Sequence, residues 1–171
     1  MKKKLGFVMV LLLLIGVYAV YAQTGARIVE SSGNFSFQPP LNWTVTEFPG
    51  LKYRVAIGPT EGGFTANITF VDETFDGNLE SYVDLSIVNM ETFFQGFRLL
   101  NREKFRTNSG IVGEKVIANT NQQSFFLRQI FYFLPARNNT YFVIVGSVLD
   151  RVATRYLTIF DESIKTFELV R

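Results

Sequence analysis

Neither cysteine nor histidine occurs anywhere in the chain. Without cysteine there is no disulfide framework, no thiolate metal site, no redox pair and no amino-terminal cysteine to carry a lipid. Without histidine there is no Ser-His-Asp or Cys-His arrangement, no imidazole base, no His-ligated zinc and none of the usual titration between pH 6 and 8. A phosphate-binding glycine loop with its lysine is missing too, since the glycines from Gly58 to Gly63 lack that spacing and fall between two strand-like runs. Carboxylates are the acid-base groups that remain. A second long apolar run is also lacking: after Ala22 the sequence keeps breaking into short apolar stretches separated by Gly, Asn, Asp and Pro.

The one long apolar run sits at the start. Lys2, Lys3 and Lys4 precede an uncharged stretch from Leu5 to Ala22, which closes on Val20, Tyr21 and Ala22. A basic flank, an apolar centre and small residues at the third and first positions before Gln23 form the secretory signal pattern, so residues 1–22 are expected to be a signal peptide cut after Ala22. The rival reading is an uncleaved anchor in the inner membrane, because 18 apolar residues just span a bilayer. Three of the 17 Lys and Arg lie in that segment and none of the 15 Asp and Glu, so the remainder carries about one net negative charge. The calculated pI of about 8.9 is therefore mostly a property of the leader, and it gives no support for nucleic-acid binding.

What the chain has in quantity is phenylalanine, 18 residues of it, enough to fill the core of one domain without disulfides. The richest stretch runs from Ser124 to Leu149. Phe125, Leu127, Gln129, Phe131 and Phe133 fall on one face of a strand and Phe126, Arg128, Ile130, Tyr132 and Leu134 on the other. Turn residues from Pro135 to Asn139 lead into Tyr141, Phe142, Val143, Ile144 and Val145, again apolar on both faces. Two such faces predict a sheet interior with a layer above and a layer below.

The rest of the chain supplies those layers. Residues 23–33 read as a polar lead-in and 34–171 as a single domain. Phe35 to Gln38 form a strand, Pro39 and Pro40 a turn, and Trp43 opens a further strand as a core anchor. Tyr53 to Ile57 and Phe64 to Val71 make a hairpin, with the first strand ending at Gly58 and Pro59. Asn78 is placed to cap a helix carrying Leu79, Tyr82, Val83, Ile87, Met90, Phe93 and Phe94, which ends near Gln95 because Gly96 suits a positive φ. Strands from Phe97 to Thr107 and Gly113 to Thr120 follow, and Val152, Tyr156, Ile159, Phe160, Ile164 and Phe167 mark a closing helix. The sequons at Asn34, Asn42, Asn67 and Asn138 read as Asn-rich strand edges rather than glycan sites.

This order of parts, with Pro40-x-x-Trp43, the Gly110-x-x-Gly113 hairpin and the closing Ser163, Ile164, Lys165, Thr166, Phe167, resembles the PsbP-like (Mog1/PsbP/DcrB) superfamily from about Phe35 to Leu169. The resemblance implies an α+β fold, a three-layer α/β/α sandwich around a central antiparallel sheet. It also implies an accessory or binding role, with a protein partner or membrane-associated complex and no shared active site to transfer. The His metal contacts of photosynthetic relatives have no counterpart here.

Candidate chemistry is sparse. Asp72, Glu73, Asp76, Asn78 and Glu80 crowd a helix start and could offer oxygens to a hard cation, but the twelfth position from Asp76 is Ile87, outside the EF-hand register. A helix start that favours negative charge is the preferred reading of this cluster over a metal site. Arg128, in an apolar strand, must meet a carboxylate or reach solvent at a groove. The expectation is thus an exported, non-enzymatic binding or accessory protein of the bacterial envelope, periplasmic or extracellular, with no cofactor, no metal and no nucleic acid. Its partner or ligand groove would use Phe93, Phe97, Phe126, Arg128 and Tyr132. The alternative is a hydrophobic-ligand carrier or a carboxylate-based hydrolase with a pocket between sheet and helix.

Overall fold

The computed structural model describes residues 23–170, so the expected signal peptide or anchor lies outside the described residues. The Phe-rich stretch forms β8 (Phe125–Pro135) and β9 (Thr140–Leu149), antiparallel, with Tyr132 opposite Ile144 and Phe133 opposite Val143. Around this pair lie β3 (Thr44–Thr46), β4 (Val55–Glu61), β5 (Phe64–Thr74), β6 (Arg98–Arg106) and β7 (Val112–Gln122). They make one seven-stranded antiparallel sheet in the order β3-β4-β5-β9-β8-β7-β6. A small sheet joins β1 (Ile28–Glu30), β2 (Phe35–Phe37) and β10 (Glu168–Leu169). Two α-helices among the described residues complete the fold, α1 (Leu79–Phe93) and α2 (Ala153–Lys165), making it α+β with most of its regular structure in antiparallel sheet. No described helix is long and apolar enough to cross a membrane.

The alternation read in β8 decides the packing. Ile130, Tyr132 and Leu134, with Phe142 and Ile144 of β9, share one buried cluster with Ala153, Tyr156, Phe160 and Ile164 of α2 and with Phe35, Phe37 and Phe167. Phe131, Phe133 and Tyr141 face the other way and share a second cluster with Tyr82, Val83 and Met90 of α1. Each of these side chains is withdrawn from water, a contribution of about 1.5–3 kcal/mol apiece for the larger ones. Trp43 is partly buried, with its ring 6.0 Å edge-on from Phe160 and 6.3 Å from Tyr156, so it packs as a core anchor where β3 begins.

Several boundaries depart from expectation for local reasons. The stretch 23–33 carries β1, whose Ile28 pairs with Phe37, while Arg27 hydrogen-bonds to Ser36 and to the Thr166 carbonyl; the polarity of this segment reflects its place at the edge of a three-stranded sheet. Gly58 and Pro59 do not end β4. The strand continues to Glu61 across a register shift between Ile57 and Thr60, an irregularity of the kind that tolerates a proline without an N–H. Asn34, Asn42 and Asn138 are not strand residues but take φ of 51°, 65° and 55°, turn conformations for which asparagine is suited.

Helix α1 begins as expected, with the Asn78 side chain accepting from the Ser81 N–H, but it ends at Phe93, two residues early. Phe94 is already extended, and Gly96 has φ of 63°. A Cβ on Gly96 would lie 2.4 Å from the Asn121 amide nitrogen, where the chain after α1 crosses the end of β7 and Asn121 N–H donates to the Gln95 carbonyl. Replacing Gly96 by Val should cost about 1 kcal/mol or more through the backbone alone, with the Asn121 clash adding to it. An unchanged urea midpoint in this variant would show that neither constraint acts.

Candidate functional site

At one end of the large sheet, the turn between β1 and β2, the turn between β8 and β9, and the chain end after β10 converge on a cavity of about 420 Å3. Its lining includes Lys52, Tyr53, Asp72, Arg137, Phe142 and Val170. The sequence folds this way because β5 carries Asp72 to its far end, opposite Phe142 of β9, and β4 is preceded by Lys52 and Tyr53. The Tyr53 ring meets Phe35 edge-on at 5.2 Å and lies 6.1 Å from Phe142, which leaves the residue 2% exposed. Gly33 crosses the hydroxyl end of that ring, since a Cβ there would lie 2.7 Å from Tyr53 Cε1.

Two charged groups, Lys52 and Asp72, stand beside this phenol, and Arg137 lines the same cavity. Lys52 Nζ holds both Asp72 carboxylate oxygens at 2.8 Å and stands 4.9 Å from the centre of the Tyr53 ring. Burial pushes the Asp72 carboxyl up, but hydrogen bonds from Lys52 and Tyr53 together with the Lys52 charge offset it, and the pKa stays below the ordinary carboxylate value. Burial raises the Tyr53 pKa, with Lys52 opposing, so the phenol is neutral and keeps its proton to donate. Its hydroxyl is buried, with Lys52 and Asp72 as the polar groups beside it. Arg137, exposed on the β8–β9 turn, forms no ion pair among the described residues.

The residues expected to line a groove are not gathered into one. Phe93 is 79% exposed on α1, and Phe97 packs partly buried in the α1-side cluster. Tyr132 is fully buried in the α2-side cluster, and by strand alternation Phe126 and Arg128 belong to that same face. The sheet therefore stands between the two groups, because α1 and α2 take opposite faces. Phe126 is 48% exposed near the β7–β8 turn. Arg128 meets a carboxylate rather than a groove: it donates to Asn119 Oδ1 at 2.6 Å and to Asp150 Oδ1 at 2.5 Å. The acidic run is likewise divided, since neighbours on a strand point apart. Asp72 binds Lys52, whereas Glu73 accepts from the Tyr82 hydroxyl at 2.6 Å.

Two charge networks at the helix–sheet contacts went unread in the sequence. On the α2 side Lys115, 9% exposed, bonds Glu103 at 2.6 Å and Asp161 at 2.9 Å, and the Tyr132 hydroxyl donates to Asp161 at 2.7 Å. On the α1 side Glu114, 2% exposed, accepts from Arg102 at 2.5 Å and Lys104 at 2.7 Å, and Arg102 also reaches Asp84. The signal was available: Glu114 and Lys115 are charged residues directly before the apolar Val116, Ile117 and Ala118 of the same strand, an anomaly like that of Arg128. Burial works against the Lys115 ammonium, but Glu103 and Asp161 carry its pKa above the ordinary value. For Glu114 burial would raise the pKa, and Arg102 with Lys104 holds it below.

No protein-family model and no curated protein matches this sequence. Solved structures do match. Cyanobacterial PsbP (CyanoP) of Synechocystis aligns with a TM-score of 0.61 at 14% identity, over 88% of this chain and 95% of that one. The chain has the PsbP-like fold. LpqN of Mycobacterium tuberculosis, described as involved in cell envelope biogenesis, aligns at 0.60 with 11% identity over 86% of each chain. Protein PA94 of Pseudomonas aeruginosa, itself of unknown function, aligns at 0.59 with 14% identity over 83% of this chain and 96% of that one. Identities this low carry the PsbP-like fold across and no site residue with it.

The Lys115 network gives this fold a measurable pH limit. A raised lysine or tyrosine pKa stabilises the folded state below the unfolded pKa and loses that contribution as pH climbs towards the folded value. Lys115 and Tyr132 are both raised, from 10.5 and 10.0, so stability should hold from neutrality to about pH 10 and fall above it. Asp161→Asn should cost about 2 kcal/mol at pH 7, because a nearly buried ammonium loses one of its two carboxylates. It should also flatten the alkaline decline in urea unfolding curves. A variant with the wild-type midpoint at both pH 7 and pH 10.5 would show that the network contributes nothing.

Proposed function

We propose that this chain is an exported, non-enzymatic accessory protein of the cell envelope, a three-layer α/β/α sandwich that works by binding a protein partner or a membrane-associated complex. The observation that carries the reading is the shared fold with CyanoP and with LpqN, the latter described as acting in cell envelope biogenesis. The basic and apolar residues 1–22 support export, since they have the order of a secretory leader. Lack of histidine and cysteine supports a role without metal-dependent chemistry. A hydrophobic-ligand carrier with its pocket between sheet and helix draws less support, because Phe93 and Phe97 belong to the α1 side while Tyr132 is filled core on the α2 side. A carboxylate hydrolase is disfavoured by the same logic, with Asp72 neutralised by Lys52 and Glu73 turned to the opposite face.

In the native host, the mature protein should begin at Gln23 or its cyclised form and leave the cell on release of the outer compartment alone. A chain retaining Met1 in the membrane fraction would replace the free protein with an anchored one. Its complex with an envelope partner should migrate unchanged on native gels after chelator treatment and between pH 6 and 8, since no imidazole titrates there on this side of the contact. Turnover of an ester or glycoside that disappears in Asp72→Asn would overturn the non-enzymatic reading.

A further inference from the structure

We infer that the α1-bearing face of the large sheet is a dimerisation surface, on which α1 of a second copy of this chain fills a trough that the chain's own helix leaves open. The inference does not rest on the accessory role proposed above. It starts from unequal cover. Helix α1 packs on Val116 and Ala118 of β7 and on Phe131 and Phe133 of β8, and it reaches β9 through Tyr141, while Val143 and Val145 stay half-buried at its margin. Beyond them, Val71 and Thr69 of β5 stand opposite Val143 and Val145 and face the same way, and Val71 is 47% exposed. Val55 and Ile57 of β4 continue this floor, and Phe48 with Leu51 walls its far side, enclosing a groove of about 340 Å3. None of these residues is charged. From β9 to β4 the floor spans about 10 Å, the width of one helix.

The outer side of α1 suits such a trough. Ser81, Leu85, Val88 and Thr92 recur there at helical spacing, all exposed, with Val88 57% exposed. By contrast α2 exposes Thr154, Arg155 and Thr158 and no large apolar side chain. A helix apolar on both sides has the pattern of a buried one. The α1 acids Glu80, Asp84 and Glu91 lie together on the flank turned to Arg102 of β6, which keeps charge away from the trough side. Position decides the occupant. A helix from another protein would fill the trough but leave Leu85 and Val88 in water, whereas a second copy covers both. β9 is the central strand of seven, with α1 over its first and second neighbours on one side and the trough over its first and second neighbours on the other. A two-fold axis above β9, parallel to the strands, therefore sets each helix into the other copy's trough. The same rotation brings β6, with Lys104 and Arg106 exposed, to the second copy's β3 edge, beside which Glu47 is exposed and forms no ion pair among the described residues.

Sedimentation velocity of the mature protein from about 1 to 200 µM should show a reversible equilibrium between monomer and dimer. Val88→Asp on the helix and Val71→Lys in the trough should each weaken the dimer roughly a hundredfold, since the two-fold axis buries the new charge twice, and each should leave the far-ultraviolet spectrum unchanged. Phe126→Ser, at an apolar residue exposed on the opposite face of the sheet, should leave the equilibrium as it is. Mixing the Val88→Asp and Val71→Lys proteins should restore a heterodimer, because one of its two helix-trough contacts is wild-type and the other pairs Asp with Lys. A protein monomeric throughout that concentration range would overturn the inference and leave the trough to a partner of another kind. So would a dimer that survives Val88→Asp, a dimer lost equally in Phe126→Ser, or two variants that stay monomeric when mixed.

Discussion

The fold depends on one constraint, that β8 and β9 are apolar on both faces and must be covered on both. A sheet with one wet face would satisfy the first half of this requirement and leave Phe131, Phe133 and Tyr141 in water. Helix α1 removes those three, and α2 with the small sheet removes Ile130, Tyr132, Leu134, Phe142 and Ile144. The remaining strands follow from the same demand. β7 and β5 are needed as flanking neighbours because the central pair would otherwise expose two rows of unpaired backbone groups, and they bring in Val116 and Ala118 on one face and Ile68 and Phe70 on the other. The short, irregular strands β3 and the charged β6 are left to the edges, where Arg98, Arg102, Lys104 and Arg106 discourage further pairing.

Apolar burial alone does not fix how each helix lies on its face, since phenylalanine packs tolerably at many angles. The charge networks narrow the choice. Asp161 of α2 must meet Lys115 of β7 and the hydroxyl of Tyr132, and Asp84 of α1 must meet Arg102, which itself holds buried Glu114. A helix displaced by a turn would abandon a nearly buried ion, a heavier penalty than a suboptimal aromatic contact. A third tie works at the opposite end of α2, where the Tyr156 hydroxyl donates to Glu61 at 3.0 Å and Arg155 pairs with the same carboxylate, binding the β4–β5 hairpin to the helix.

Legibility followed the range of the cause. Alternation is local, so both faces of β8 could be read from Phe125 to Leu134, and helix periodicity together with Asn78 marked the start of α1. Gly96 was placed correctly in the left-handed region for the same reason, although the helix stops two residues before the expected point because Phe94 turns back into the α1-side cluster. What was not local was not legible. No periodicity says which helix takes which face, and the expected groove drew residues from both sides of the sheet for that reason. Nor does the sequence show that Lys52, distant from Asp72 and Arg137 along the chain, will line one cavity with them, since that meeting is made by β-sheet register and two turns.

A division of labour within the fold explains why likeness to CyanoP and LpqN survives at 14% and 11% identity. Double-faced burial requires only that certain positions be apolar and of suitable volume, a condition many sequences meet, so the sheet and its helices tolerate near-complete replacement. A recognition site requires particular atoms at particular places. Inside the core such atoms are either apolar or already bonded to one another, which leaves them nothing to offer a ligand. Groups with unspent bonding capacity must therefore sit where strands stop, as Arg137 does on the turn after β8. Proteins that share the fold are free to differ at those ends, so a likeness of fold does not by itself say what this chain binds.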